Sequence, residues 1–429
     1  MFKSAIINGR IFQNGDFQSK ALLISDDGRI SKILDKSDTD LPGYGVIDAE
    51  GNYVLPGFID SHVHFDDLSG EKEKIQRTLR AFLRNGVTTI RCTGGTLEYL
   101  LLLKREIENG IMKGPRIYCS GPLLDGADPY WRTMSLIVED AENARKVVKS
   151  LSVLGVDFVK AYMKISPDVL QVIIEESHAN GLQVTIHPRE TTAIQAIDLG
   201  VDGVEHVGSL IDESYVEREN LVRSNGFVYD ENFIKTWQLV DLSSAGIEAL
   251  VKKIVESGVH ICPTLVVYKS MWMVDERKHR NYEINSDAIP EWWVSWEKHW
   301  KDQSLELRQS AKIGFNNMQK LVGLLAKHGA NIIAGSDTPN AFVPEGSSLL
   351  EEMELLVEAG MTPSGAISAA TSKAAVALGQ QKMLGSIGEG KIADLVFVKD
   401  NPLDDIRNIR NIAKVVKAGK PLSCNSVSR

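Results

Sequence analysis

The sequence predicts an α/β fold: a (β/α)8 barrel of the TIM type, with a small discontinuous β-sandwich domain from the N- and C-terminal segments. From about residue 56, short apolar runs alternate with amphipathic stretches, a rhythm typical of βα units. Eight such units over roughly 300 residues suit a TIM-type barrel. Short strands bounded by turn residues occupy both ends of the chain, so the ends are expected to complete one another.

The composition is that of a globular protein with a large core. The chain has 429 residues, of which 43% are hydrophobic and 24% are charged, so more than one core is expected. Its formal net charge is −9 and the lysines and arginines do not cluster. Nucleic acid and anionic membrane are therefore not expected as partners.

The N-terminal segment predicts a cytoplasmic protein. Met1 to Ile7 is followed at once by Asn8-Gly9, so no signal-peptide segment develops, and no apolar run reaches membrane-spanning length. The cysteines are far apart and are predicted to be buried free thiols; they are Cys92, Cys119, Cys262 and Cys424.

The predicted domains are a β-sandwich part over 1–55, the barrel over 56–378 and the second β-sandwich part over 379–429. Before residue 56, strands are predicted at Ala5–Ile7, Ala21–Ile24, Arg29–Leu34 and Gly45–Asp48, separated by turns such as Asn8-Gly9 and Asp27-Gly28. Near the C-terminus, Thr362-Pro363 predicts a helix start. Strands are then expected around Leu395–Val398 and Lys414–Gly419.

Eight predicted barrel strands lie in order along the middle of the chain. They are Val54–Ile59, Val87–Cys92, Gly114–Cys119, Phe158–Lys160, Val184–His187, Gly203–His206, His260–Thr264 and Ile332–Asp337. A doubly wound sheet is the main alternative, but no glycine-rich phosphate fingerprint follows the first strand.

One segment, residues 271–310, interrupts the alternation of predicted strands and helices. It holds five of the seven tryptophans, together with Tyr282. The first interpretation is an extra helical pair whose aromatic rings pack on the barrel rim. The second is a lid or pocket wall beside the seventh strand.

Side chains with metal-ligand chemistry gather at predicted strand ends. Because side chains alternate along a strand, His62 and His64 point the same way. Strand ends of a barrel converge, so distant residues meet there. The candidate set, suited to zinc or a similar ion, is His62, His64, Lys160, His187, His206 and Asp337.

Lys160 is the unusual member, because an ammonium group repels cations. Val156 to Val159 are largely apolar, so the amine is expected to be desolvated, which lowers its pKa. A neutral amine can react with carbon dioxide to give a carbamate, an anion able to bridge two metals. The alternative is an ion pair with an acidic side chain.

Several short motifs are spread along nearly the whole chain: Pro56-Gly57-Phe58-Ile59-Asp60-Ser61-His62-Val63-His64, Gly86-Val87-Thr88-Thr89, Gly114-Pro115-Arg116, Gly203-Val204-Glu205-His206, Pro263-Thr264-Leu265, Gly335-Ser336-Asp337-Thr338 and Gly388–Leu395. In these motifs the chain resembles the amidohydrolase superfamily, within its imidazolonepropionase-related and prolidase-like (Xaa-Pro dipeptidase-like) hydrolases.

The resemblance implies two divalent metal ions, which are expected to be zinc. One would be held by His62, His64 and Asp337, the other by His187 and His206, with a carboxylated Lys160 between them.

The predicted reaction is cleavage of an amide-type bond of a small substrate, such as a dipeptide or N-acyl amino acid, by a metal-bridging hydroxide. Asp337 is the predicted catalytic residue, which takes up the proton and returns it to the leaving nitrogen. Predicted substrate contacts are Arg189, which would pair with a carboxylate, and Tyr162 and Tyr268, which would donate hydrogen bonds.

Three alternatives stay open. A mononuclear deaminase or cyclic-amide hydrolase would use one ion, and Lys160 disfavours it. An esterase or lactonase could share every ligand. A non-catalytic scaffold is expected to have lost ligands, whereas every position is filled here. A small-molecule substrate and a homo-oligomer are expected.

Overall fold

The computed structural model describes residues 3–35, 43–65, 72–217, 230–272 and 291–422. Within these ranges the strands are β1 (Ser4–Gln13), β2 (Asp16–Ile24), β3 (Ile30–Asp35), β4 (Gly45–Asp48), β5 (Tyr53–Pro56), β6 (Phe58–Phe65), β7 (Val87–Gly95), β8 (Arg116–Cys119), β9 (Leu123–Asp125), β10 (Ser135–Ile137), β11 (Phe158–Ala161), β12 (Gln183–Ile186), β13 (Gly203–Glu205), β14 (His260–Cys262), β15 (Asn331–Ile332), β16 (Leu395–Val398), β17 (Ile412–Lys417) and β18 (Lys420–Pro421).

The helices alternate with these strands through the middle of the chain. They are α1 (Lys72–Arg84), α2 (Leu97–Glu108), α3 (Ala141–Leu154), α4 (Pro167–Ala179), α5 (Ala193–Asp198), α6 (Glu231–Leu239), α7 (Ala245–Ser257), α8 (Leu265–Trp272), α9 (Glu291–Lys301), α10 (Leu305–Lys327), α11 (Ser347–Glu358), α12 (Pro363–Ala369) and α13 (Ser372–Ala377).

One sheet joins the two ends of the chain. Its strand order is β18-β17-β16-β5-β1-β2-β3, with β4 paired to β1. The β1–β2 hairpin turns at Asn14-Gly15, where both residues have positive φ, as the favoured two-residue hairpin turns require. The expected partnership of both ends is thus confirmed within one sheet. The sandwich form and the domain boundaries stay predictions.

Two parallel sheets occupy the middle of the chain, with orders β6-β7-β8 and β10-β9-β11-β12-β13-β14-β15. Backbone hydrogen bonds link them at both edges. The amide of Asp157 donates to the carbonyl of Cys119 at 2.8 Å, and the amide of Ser61 donates to the carbonyl of Ala334 at 3.0 Å. A mixed α/β fold with parallel sheets is confirmed.

The first predicted barrel strand, Val54–Ile59, is wrong in its bounds. The chain divides at Gly57, because β5 pairs with β1 and β16 whereas β6 pairs with β7. A side chain at Gly57 would place its Cβ 2.2 Å from Oγ1 of Thr88, so only glycine fits this crossing. His62 and His64 consequently lie inside β6 and do not follow a strand.

Several predicted elements are confirmed. The side chain of Thr362 accepts a hydrogen bond from the amide of Gly365 and caps α12, with Pro363 as its first residue. Helix α3 begins at Ala141, after the side chain of Asp140 accepts a hydrogen bond from the amide of Asn143. Strands β9 and β10 were not predicted, since each has only three residues.

The tryptophan-rich segment is described only in part. Trp272, Trp293 and Trp300 are buried, and the Trp293 ring lies 5.2 Å from that of Phe342, which agrees with the packing interpretation. Residues 273–290, with Tyr282 among them, lie outside the described residues, as does the side chain of Trp292.

Cys92, Cys119 and Cys262 are buried and form no disulfide bond among the described residues, as predicted, whereas Cys424 lies outside the described residues. Among the helices that the structure describes, none has the length and apolar character needed to cross a membrane.

Candidate metal centre

Asp337 is brought to the two histidines of β6 by backbone hydrogen bonds. The amide of Asp337 donates to the carbonyl of His62 at 2.7 Å, and the amide of His64 donates to the carbonyl of Thr338 at 2.8 Å. The segment after β15 thus runs beside β6 in parallel. This register places the Asp337 carboxylate against both imidazoles.

Three ligand-type atoms converge at this point. Nε2 of His62 lies 3.2 Å from Nε2 of His64. Oδ1 of Asp337 lies 3.4 Å from Nε2 of His62 and 3.1 Å from Nε2 of His64. Two imidazole nitrogens and a carboxylate oxygen in one small volume are a donor set that zinc prefers.

The second group of predicted ligands adjoins the first. The ring centroids of His62 and His206 are 4.6 Å apart, and those of His187 and His206 are 4.4 Å apart. One ligand atom each from His62, His206 and Asp337 lies within 4.8 Å of the others. The four predicted histidines therefore form one continuous cluster with Asp337.

The outward nitrogens of three histidines are held by other groups. Nδ1 of His62 lies 2.6 Å from Oε2 of Glu205, Nδ1 of His64 lies 3.3 Å from the carbonyl of Gly94, and Nδ1 of His206 lies 2.8 Å from Oγ1 of Thr264. Such partners fix the tautomer and the ring orientation of a histidine. In the rings of His62 and His64, Nε2 is left to face Asp337.

Two buried nitrogens in the cluster have no hydrogen-bond partner among the described residues: Nζ of Lys160 and Nδ1 of His187. Buried polar atoms are normally paired, so these two point to a ligand that the residues themselves do not supply. The donor set therefore fits a metal centre.

The electrostatics of the cluster favour neutral ligands. Burial lowers the pKa of His187 and His206 well below the usual value, so both imidazoles keep a free lone pair for a metal at neutral pH. Burial likewise lowers the pKa of Lys160 to about 8. A substantial fraction of its amine is then neutral near pH 7 to 8.

The chain takes an unusual backbone conformation at three of these positions. His206, Thr264 and Asp337 have φ of 65°, 49° and 58°, in the left-handed region that non-glycine residues seldom adopt. Each follows a parallel strand, β13, β14 or β15. Strained backbone of this kind concentrates at functional sites.

The predicted substrate contacts have different surroundings. The hydroxyl of Tyr162 accepts a hydrogen bond from Nε1 of Trp131 at 3.0 Å, and its ring lies edge-on to His187 at 5.1 Å. Arg189 is exposed. Tyr268 is buried, with its ring near those of Phe233 and Trp272.

Sequence reasoning missed the residues that hold the ligands. Glu205 is fully buried and accepts hydrogen bonds from Nη1 of Arg91 and Oγ1 of Thr185, besides its pairing with His62. A signal was available, since Arg91 and Glu205 are charged residues inside apolar strands. Thr264 carries no comparable signal.

The model of the amidohydrolase family matches residues 53–422 of the chain. The chain belongs to the amidohydrolase family. The predicted class, a hydrolase acting on carbon–nitrogen bonds, is confirmed at this level.

Individual relatives agree with this membership. The ochratoxinase of Aspergillus niger is 25% identical over 97% of this amidohydrolase and 86% of its own length. A Xaa-Pro dipeptidase with bound methionine has a TM-score of 0.70 at 21% identity, covering 98% of this chain and all (100%) of its own. Bottromycin amidohydrolase has a TM-score of 0.77 at 21% identity, covering 99% of this chain and 88% of its own. At these identities the structural likeness establishes the fold alone.

Proposed function

We propose that this amidohydrolase is a two-metal enzyme that cleaves an amide-type bond in a small substrate such as a dipeptide or an N-acyl amino acid. The observation that carries the proposal is the pair of buried nitrogens without hydrogen-bond partners among the described residues, Nζ of Lys160 and Nδ1 of His187. A buried lysine beside candidate metal ligands is unfavourable unless its charge is removed.

Carboxylation of Lys160 would remove that charge. The neutral amine adds to the carbon of carbon dioxide, a C–N bond forms, and one proton leaves for solvent. The product is an anionic carbamate, which would supply oxygen ligands to bound metal ions. Burial favours this reaction, because it lowers the pKa of the Lys160 amine to about 8.

We assign one ion to His62, His64 and Asp337 and the other to His187 and His206, with the Lys160 carbamate shared between them. When bound, divalent ions lower the pKa of coordinated water and polarise a substrate carbonyl.

Asp337 is the residue that would transfer a proton during the reaction. Asp337 has one carboxylate oxygen 3.1 Å from Nε2 of His64 and the other 3.8 Å from Nδ1 of His206, so it lies between the two groups of ligands. We propose that it takes the proton from the attacking water and delivers it to the leaving nitrogen.

The side of the site near His187 is suited to a substrate carboxylate. Arg189 is exposed and follows His187 by two residues, and after burial, Lys160 and His62 its charge contributes to the low pKa of His187. The rings of Tyr130 and Trp131 lie 5.1 Å apart, and Nε1 of Trp131 donates to the hydroxyl of Tyr162, whose ring lies edge-on to His187. A cation beside aromatic rings favours a substrate with a carboxylate and an apolar side chain.

We also propose that the two parallel sheets form one closed (β/α)8 barrel. The support is the hydrogen bonding at both edges, between β8 and the residue before β11 and between β6 and the segment after β15. Closure would bring the strand ends that carry the ligands around a common centre.

The test is hydrolysis of a panel of dipeptides and N-acyl amino acids, with ester analogues of the same acids alongside. Protein loaded with zinc and bicarbonate is expected to release free amino acid from the amides, and chelator-treated protein is not. Turnover confined to the esters would support the esterase alternative. Amide cleavage that survives complete removal of metal would overturn the proposal.

A further inference from the structure

Glu205 lies directly behind the candidate metal centre. It precedes the predicted ligand His206 and ends β13, and its side chain is wholly buried. One carboxylate oxygen, Oε2, lies 2.6 Å from Nδ1 of His62. The other, Oε1, accepts from Nη1 of Arg91 at 2.8 Å and from Oγ1 of Thr185 at 2.5 Å.

Glu205 is charged in this position. Its buried carboxylate accepts from the guanidinium of Arg91, a group that stays protonated in proteins, and from the hydroxyl of Thr185. An ionised carboxylate can only accept hydrogen bonds. The proton between Glu205 and His62 therefore belongs to Nδ1 of His62, which leaves the lone pair on Nε2.

Arg91 is itself fixed. Besides Glu205, Nη1 of Arg91 donates to the carbonyl of Ser61 at 3.1 Å, and its guanidinium carbon lies 4.4 Å from the centre of the Phe158 ring. Ser61 is the neighbour of His62 on β6. One guanidinium group thus holds both the backbone beside the ligand and the carboxylate that orients the ligand.

We infer that Glu205 and Arg91 form a positioning pair for the metal centre, in which Glu205 orients His62 and strengthens it as a ligand while Arg91 fixes and neutralises Glu205. A carboxylate that accepts the distal N–H of an imidazole makes the other nitrogen a better electron donor. In this role, neither residue contacts the substrate. The inference rests on the metal site proposed above.

The alternative is that the pair serves only to neutralise charge in the interior. A buried ion pair can often be replaced by apolar residues of similar volume without loss of stability. The double variant R91M/E205L makes this replacement and removes both charges of the pair, so neither Arg91 nor Glu205 is left without its partner. A purely structural pair would leave metal binding unaffected in it.

The experiment measures zinc affinity by competition with a chromogenic chelator and records the visible spectrum of the cobalt-substituted protein. The variants are E205Q and R91M/E205L. The matched control is D202N, which alters a carboxylate 2.8 Å from Nε2 of His178, an imidazole outside the centre. Circular dichroism checks the fold of each variant.

We expect both variants to lose about 10- to 100-fold in affinity for one of the two ions, as is typical when such a partner is removed. The cobalt spectrum should change in both, and D202N should match the wild type in both readouts. The loss should be smaller in E205Q, because its amide oxygen still accepts from His62.

Wild-type zinc affinity and an unchanged cobalt spectrum in a folded R91M/E205L protein would overturn the inference. Failure of the double variant to fold would also overturn it, since the pair would then be required by the fold. If the wild-type protein binds no metal, the proposed function fails. If the wild-type protein binds zinc and both variants bind it with the same affinity, this inference alone fails.

Discussion

Oγ1 of Thr264 lies 2.8 Å from Nδ1 of His206, and both residues have positive φ. An uncommon backbone conformation after two successive strands thus accompanies this side-chain hydrogen bond. That bond fixes the ring of a candidate ligand.

The variant T264V should weaken metal binding. Valine has nearly the shape of threonine but offers no oxygen to His206, so we expect about a 10- to 100-fold loss of zinc affinity. The control is T236V, because Thr236 is buried and its hydroxyl has no hydrogen-bond partner among the described residues. Equal zinc affinity in the two variants would contradict the orienting role of Thr264.

The variant D337N should abolish most turnover while metal remains bound. Asparagine keeps an oxygen near His62 and His64 but cannot take up a proton, so we expect a loss of about 10²- to 10⁴-fold in kcat. Metal content should be measured on the same sample. Full activity in D337N would remove Asp337 from the catalytic role.

The variant R189A should raise KM for substrates that end in a carboxylate. Loss of a charge-assisted hydrogen bond worth ~1.5–3 kcal/mol corresponds to about a 10- to 100-fold increase. The same substrates with an amidated terminus should show little change. Arg132 is a control, since it is exposed and already paired with Asp128; an equal effect of R132A would indicate a general charge effect.

Glu352 should make stability depend on pH. Burial raises its pKa to about 8 from an ordinary value of 4.5, and the amide of Val266 donates to its Oε2. Between these two pH values the folded state holds a proton that the unfolded state has lost. The contribution of Glu352 to the free energy of unfolding therefore falls by about 1.4 kcal/mol per pH unit as pH rises.

The variant E352Q removes that titration and keeps an acceptor for Val266. Denaturant unfolding at pH 5 and at pH 8 should show the variant gaining stability relative to the wild type at the higher pH. A constant difference between the two proteins across this range would contradict the assignment.

The sequence predicted most of what depends on local pattern. The alternation of apolar runs and amphipathic stretches gave the parallel strands, and Thr362-Pro363 gave the start of α12. The ligand candidates His62, His64, His206 and Asp337 are residue types with recognised metal chemistry at strand ends or within a strand, and the structure brings them together.

What the sequence did not predict depends on contacts between distant segments. The break at Gly57 follows from the close approach of Thr88, and the partnership of Arg91 with Glu205 joins residues 114 positions apart. The surroundings of Tyr268 follow from helix α6 and the rest of α8, which supply Phe233 and Trp272. None of these contacts is reflected in the periodicity of the sequence.

The most direct test of the two-metal account is the metal content per chain of protein purified without chelator in the presence of bicarbonate, compared with K160M. The account predicts about two ions per chain in the wild type. It predicts at most one in K160M, since a methionine cannot form the carbamate that the two ions share. A single ion per chain in both proteins would contradict it.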